Sequence, residues 1–166
     1  MKKLFLMLML CAPMTLFAQK FGHLDSQALL QSLPEATAVQ SKLEAKGKEY
    51  QKQIEDMQSE LQRQAEAYDK SKSTMNATKQ QETENELNGL YQKYQQALQD
   101  NQQTLSKEQQ EKMQPITTKL VNAIKAVGKA GGYVYIMDVS SGIPYISDTL
   151  SKDVTAEVKA QLNKLK

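Results

Sequence analysis

The sequence predicts a mostly helical α+β chain, in which a long antiparallel helical hairpin projects from a small β body completed by oligomerisation. Three observations carry this. Between Pro34 and Pro115 lie 80 residues with no proline and only two glycines, Gly47 and Gly89. Runs rich in β-branched and aromatic residues stand outside that stretch, toward the two ends of the chain. Large apolar side chains are scarce, with 3 Phe, 7 Tyr and no Trp among 166 residues, so one copy can bury only a small core.

Residues 1–18, MKKLFLMLMLCAPMTLFA, place two lysines before an uncharged run from Leu4 to Phe17 and a small residue, Ala18. That order is expected of a cleaved secretory signal, and the run is short for a membrane span. The alternative is an uncleaved anchor, since Leu16 is a poor residue three positions before the cut. Lipidation of Cys11 is disfavoured by Leu10, which stands where a small residue is wanted. Cleavage leaves 148 residues with 19 basic and 19 acidic side chains and removes the only cysteine. A neutral chain without thiols suits an oxidising compartment.

In chain order, Lys20–Asp25 is expected as a short strand and Ser26–Leu33 as a short helix. Ser32-Leu33-Pro34-Glu35 combines capping-box spacing with a proline in the first turn, and starts a long helix. The stretch that follows is dominated by Gln, Glu, Lys, Ala and Leu. Near its middle, Tyr68–Thr78 concentrates Ser, Thr, Asn and Asp, which compete for helical hydrogen bonds. A turn near 69–79 joining two arms is therefore expected, with one continuous helix as the alternative.

The first arm sets Leu43, Tyr50, Ile54, Met57, Leu61 and Tyr68 along a seam, with Gln64 in a vacant position. The second sets Tyr91, Tyr94, Leu98, Asn101 and Leu105 in steps of three and four, then shifts phase to Met113, Ile116, Leu120, Ile124 and Val127. Leu87 and Leu90 fall off that register. Both seams are narrow and leave most of each arm to water or a partner. Beyond Gly131-Gly132, Tyr133–Val139 reads as a strand and Ile143–Ser147 as a second one, confined to an edge by Pro144. Asp153 is expected to cap a last amphipathic helix carrying Val154, Val158, Leu162 and Leu165. Two or three short strands are not stable alone, which is why several copies should share one body.

Phe21-Gly22-His23-Leu24-Asp25-Ser26-Gln27-Ala28-Leu29-Leu30, Leu120–Val127, Val134–Asp138 and Asp153–Val158, in this order around an 80-residue helical insert, resemble the Skp (OmpH) family of periplasmic chaperones. The resemblance spans essentially the whole chain after residue 18. It implies a homotrimer whose β body, residues 19–33 and 114–166, carries helical arms of residues 34–113 around a cavity. It further implies that unfolded outer-membrane β-barrel proteins are held there in the periplasm without ATP. Phe21, Leu24, Val134, Ile136, Val139 and Ile146 would then form the trimerisation body. Tyr50, Met57, Tyr68, Met75, Leu87, Leu90, Tyr91 and Tyr94 are the candidates for client contact, because tyrosine, methionine and leucine offer adaptable apolar area. Each is also a candidate for the seam within the hairpin, and Leu87 and Leu90, off its register, are the stronger choices for the client.

Two features depart from the family pattern. Its enterobacterial members are strongly basic, whereas residues 34–66 here hold five basic and seven acidic side chains (net −2) and 67–112 hold six and seven (net −1). Only 113–166 are positive, with seven basic against four acidic (net +3). The basic pair of the second arm falls near Lys107 and Glu108, so a lipopolysaccharide site lacks its charge. Lys70, Lys72 and Lys79 still give the arm tip a positive patch, for which a solvated tip is the expected reading and a weak contact with the membrane surface the alternative. The second departure is Pro115, inside the second arm, which should kink it and act as a hinge.

No GxGxxG or P-loop pattern is present, and a lone His23 has no second His or Cys for a metal. Asp25 and Asp138, at strand ends, fit capping rather than acid–base work. The chain is therefore read as a non-enzyme with no cofactor, no metal and no nucleic-acid partner. A coiled-coil spacer or scaffold of the cell envelope is the alternative function, and would call for better-packed heptads.

Overall fold

A computed structural model of the chain describes residues 19–165; the expected signal segment lies outside the described residues. The elements run β1 (Lys20–Leu24), α1 (Ser26–Gln31), α2 (Pro34–Ser71), α3 (Ala77–Gly131), β2 (Tyr133–Asp138), β3 (Ser151–Asp153) and α4 (Thr155–Lys164). Short 3₁₀ turns at Lys72–Thr74 and Val139–Ser141 join them. The described residues fall into two compact units, 19–29 with 119–165 and 30–118.

In the first unit, β1 is the middle strand of a three-stranded sheet with order β2-β1-β3, and both neighbours run parallel to it. A parallel pair needs a long crossover, and the whole of α1 to α3 supplies the one from β1 to β2. Gly22 lies opposite Ile136, and His23 lies opposite both Met137 and Asp153. A Cβ on Gly22 would stand 3.2 Å from Tyr133 and Val154 and 3.3 Å from Ile136, so glycine lets the strand approach its neighbours closely. Gly132 adopts φ 66°, the left-handed conformation that ends α3 and turns the chain into β2. Leu24, Leu29, Leu120, Ala123, Val154, Val158 and Leu162 are buried and make up the core of this unit.

The second strand expected at Ile143–Ser147 does not form. That segment is irregular, and the third strand is instead Ser151–Asp153. Pro144 has no N–H to pair, and the polar Ser-Lys-Asp triplet carries no strand signal of its own. Its conformation comes from β1, helped by the His23 Nδ1 to Ser151 Oγ contact at 2.9 Å and by Val154 N–H donating to the His23 carbonyl at 3.0 Å. The imidazole thus has a structural role.

Both strand-end aspartates cap α1. Asp25 accepts from Ala28 N–H at 2.8 Å. Asp138 accepts from Ser26 N–H at 3.1 Å, from Ser26 Oγ, and from Ser140 N–H at 3.1 Å, tying the end of β2 to the start of α1. Burial opposes the Asp138 charge, but these donors outweigh it and hold the carboxyl below the usual aspartate range. A depressed folded value means that the stabilisation is complete at neutral pH and is lost as pH falls below about 4. Asp138→Asn is accordingly expected to cost about 1–2 kcal/mol at pH 7. In urea titrations repeated at low pH the variant and the wild-type curve should converge; a gap that persists under acid would show that charge is not the cause.

At the C-terminal end, Asp153 accepts from Thr155 N–H at 2.8 Å, so it serves the start of α4 although Val154 occupies the cap position. The α4 core face is Val158 and Leu162, as its spacing predicts.

In the second unit, α2 and α3 form an antiparallel hairpin. Pro34 is the first helical residue and the extended Leu33 precedes it, so the cap position falls on leucine rather than on Ser32. At about 1.5 Å per residue, the 38 residues of α2 reach about 57 Å. The break is at Lys72–Asn76, within the expected tip. There Ser71 Oγ donates to the Ala67 carbonyl (2.7 Å), Thr74 Oγ1 to the Ser71 carbonyl (2.8 Å), and Asn76 Oδ1 accepts from Lys79 N–H (2.8 Å) to start α3. Gln80 Nε2 closes the turn on the carbonyls of Lys72 and Met75 at 3.0 and 3.1 Å. Pro115 lies inside α3, which continues through it.

Candidate functional site

The hairpin register follows from a few cross-helix contacts. A Cβ on Gly47 would meet Leu105 at 4.0 Å, Lys46 pairs with Glu108, and Tyr68 donates its hydroxyl proton to Glu84 at 2.5 Å. The same register sets Ala36 level with Ile116, and both are buried. On α2 the half-buried and buried positions include Ala36, Val39, Leu43, Tyr50, Ile54, Met57, Leu61, Gln64 and Tyr68, essentially the expected seam.

On α3 the half-buried positions include Gln80, Thr83, Leu87, Leu90, Tyr94, Ala97, Asn101, Thr104 and Glu108, in unbroken steps of three and four, with Glu84, Gly89, Gln95 and Leu105 half-buried beside them. This corrects the sequence expectation. Leu87 and Leu90 are on the covered face, whereas Tyr91 and Leu98, expected on the seam, are 51% and 38% exposed. The two stripes share Tyr94 and Asn101; Leu105, half-buried by Gly47, keeps its expected place toward α2, while Tyr91 and Leu98 made their stripe look the more apolar. Asn101 interrupts the covered face, and its Nδ2 is buried without a hydrogen-bond partner.

Among the other candidates for client contact, Tyr50 is half-buried with the Lys46 ammonium 5.6 Å from its ring centre. Met57, Met75 and Tyr94 are half-buried, and Tyr68 is the one buried member of the set. The geometry therefore leaves Tyr91 as the fully available candidate and adds Leu98, which periodicity had assigned to the seam.

Electrostatics latch the hairpin at two levels. The Glu108 carboxylate raises the Lys46 pKa above the ordinary lysine value, burial opposing it, and the Tyr50 side chain adds to the rise. At the tip, the Tyr68 hydroxyl first and Lys72 second hold Glu84 below the usual glutamate range, while the Glu84 carboxylate raises the Tyr68 phenol. Lys72 lies 3.4 Å from Glu84 and 5.2 Å from the Tyr68 ring centre, and Lys79 lies 3.3 Å from Glu82. Two of the three tip lysines are thus engaged with carboxylates, which weakens the tip as an anion site. Glu60 is held at about 2 by Arg63 and then Gln64, in a local arrangement along α2. Near the expected basic pair, Lys107 faces Glu111 at 3.9 Å and Glu108 is taken by Lys46.

In the other unit, β2 is an outer strand with Val134, Tyr135 and Met137 exposed at 47%, 63% and 50%. Phe21, half-buried, stacks on Tyr135 with centroids 6.3 Å apart and planes 8° apart. Leu24 is buried in its own unit, Ile136 is half-buried beside Gly22 and Gly128, and Val139 and Ile146 are half-buried. An unpaired strand edge flanked by exposed apolar side chains is a template for another chain. Among the described residues, no group of three or more His, Cys, Asp or Glu is placed to hold a metal, and no helix is long and apolar enough to cross a membrane.

A family model described as Outer membrane protein (OmpH-like) matches residues 20–162. The chain is 28% identical over 155 residues to chaperone protein Skp of Yersinia enterocolitica, covering 93% of each. It is 25% identical over 145 residues to chaperone protein Skp of Pectobacterium atrosepticum, covering 87% of this chain and 86% of that one. A solved structure described as an OmpH-like outer membrane chaperone from Caulobacter crescentus CB15 superposes with a TM-score of 0.75 at 18% identity, over 89% of this chain and 86% of the other. At that identity the likeness speaks for the fold.

Proposed function

The chain belongs to the OmpH-like outer membrane protein family, and from this premise we propose that it is a periplasmic holdase that keeps unfolded outer-membrane β-barrel proteins from aggregating, without ATP. Like its chaperone relatives it is not an enzyme. The observation that carries the reading is a hairpin with helices of 38 and 55 residues that does not build a core of its own. In its unit, residues 30–118, only Ala36, Tyr68 and Ile116 are buried apolar residues, so most of its surface is left to a guest. Loose binding at many points suits a client that must later leave.

The same proposal makes the active particle a homotrimer. The exposed Val134, Tyr135 and Met137 on an edge strand support it, because a three-stranded sheet of this size gains stability by joining the sheets of further copies. Removal of residues 1–18 as a signal belongs to this reading, as does Pro115 acting as a hinge, since it leaves the Glu111 carbonyl without its helical donor.

The test dilutes a urea-unfolded outer-membrane β-barrel protein into buffer with the chain from residue 19 and no ATP, with light scattering following aggregation and mass together. Suppressed scattering and a three-copy mass are expected. A three-copy particle that leaves aggregation unchanged would favour the scaffold reading, and a monomer without effect would remove the proposal altogether.

A further inference from the structure

We propose that an uncharged band on one flank of α3, carrying Tyr91, Gln95, Leu98 and Gln102, is the contact for extended, uncharged stretches of an unfolded polypeptide; this rests on the holdase reading above. Tyr91 and Leu98 are the exposed large apolar residues of the hairpin unit among the described residues. At about 100° per residue the four positions lie within about 60° of arc, roughly a quarter turn from the face covered by α2.

Charge decides what the band accepts. Between residues 88 and 106 the only charged side chains are Lys93 and Asp100. Both stand about 180–200° round the helix from Tyr91, and Gln96 occupies Asp100 at 2.8 Å. Lipid headgroups, nucleic acid and acidic or basic peptides find no counter-charge on the band. Gln95 is half-buried and Gln102 exposed, and each amide offers two donors and an acceptor. A peptide backbone presents the complementary pair along its length, whatever its sequence, and the Tyr91 ring and Leu98 add apolar contact between the amides. The matching partner is an extended segment whose backbone groups are unpaired and whose side chains are apolar or neutral.

The test measures binding of a dye-labelled, urea-unfolded outer-membrane β-barrel protein to the chain from residue 19, at about 20 mM and about 500 mM NaCl, where screening differs strongly. Wild-type affinity should change by less than about threefold between the two salts, as expected of contacts without ion release. Tyr91→Ser with Leu98→Ser should weaken binding by about tenfold, and Gln95→Glu with Gln102→Glu by about threefold or more, with melting curve and oligomer mass unchanged. Unchanged affinity in both variants, or a wild-type affinity that falls steeply with salt, overturns the band. So does a changed oligomer mass, which makes it a contact between copies, or a parallel loss of binding to anionic phospholipid vesicles. Failure of the wild-type protein to bind the client at all overturns the holdase reading itself.

Discussion

Truncation of Leu24 to alanine is expected to lower the stability of the β-containing unit by about 3 kcal/mol, in the range typical of a fully buried leucine. Leu24 ends the middle strand and is 2% exposed, within a core completed by Leu29, Leu120, Ala123, Val154, Val158 and Leu162. Few other buried side chains are present to share the loss, and the neighbouring positions belong to a parallel sheet that cannot collapse on the cavity without losing its register with β2 and β3. The measurement is hydrogen exchange of the β1 amides across a urea series. A loss below about 1 kcal/mol would mean that the cavity refills and that this core is less well packed than its burial indicates.

Leu87→Ser combined with Leu90→Ser is expected to destabilise the hairpin by about 2–4 kcal/mol, read as a lower thermal midpoint in circular dichroism. Both leucines are half-buried on the covered face of α3, between the tip latch of Tyr68, Glu84 and Lys72 and the Lys46–Glu108 pair. Leu98→Ser on the flank should move the midpoint far less, because that side chain is already exposed. The comparison separates two roles that periodicity alone confuses. Loss of client binding with an unchanged melt would return Leu87 and Leu90 to the client-contact role that their off-register positions suggested.

Features that depend on near neighbours along the chain are readable in the amino-acid order. The long proline-free stretch is helical, its Ser/Thr/Asn-rich middle is a turn, Gly131-Gly132 ends α3, and Tyr133–Asp138 is a strand. Asp25, Asp138 and Asp153 serve as caps, because a short carboxylate at an element boundary has orphan N–H groups within reach. Family membership was also legible, carried by the order of blocks around the helical insert.

Two further features depend on contacts between segments far apart along the chain. Ser151–Asp153 is a strand because β1 offers it an edge, while Ile143–Ser147, with better composition, has a proline and no partner. On α3, the stripe Tyr91-Tyr94-Leu98 and the stripe Leu87-Leu90-Tyr94 have equally good heptad spacing. Which of them faces α2 is shown by their burial in the hairpin, where Leu87, Leu90 and Tyr94 are half-buried and Tyr91 and Leu98 are exposed. A periodicity states that a helix has an apolar face; only the partner's position states which of two overlapping faces is covered. The candidate binding surface, the face left over, follows from that choice.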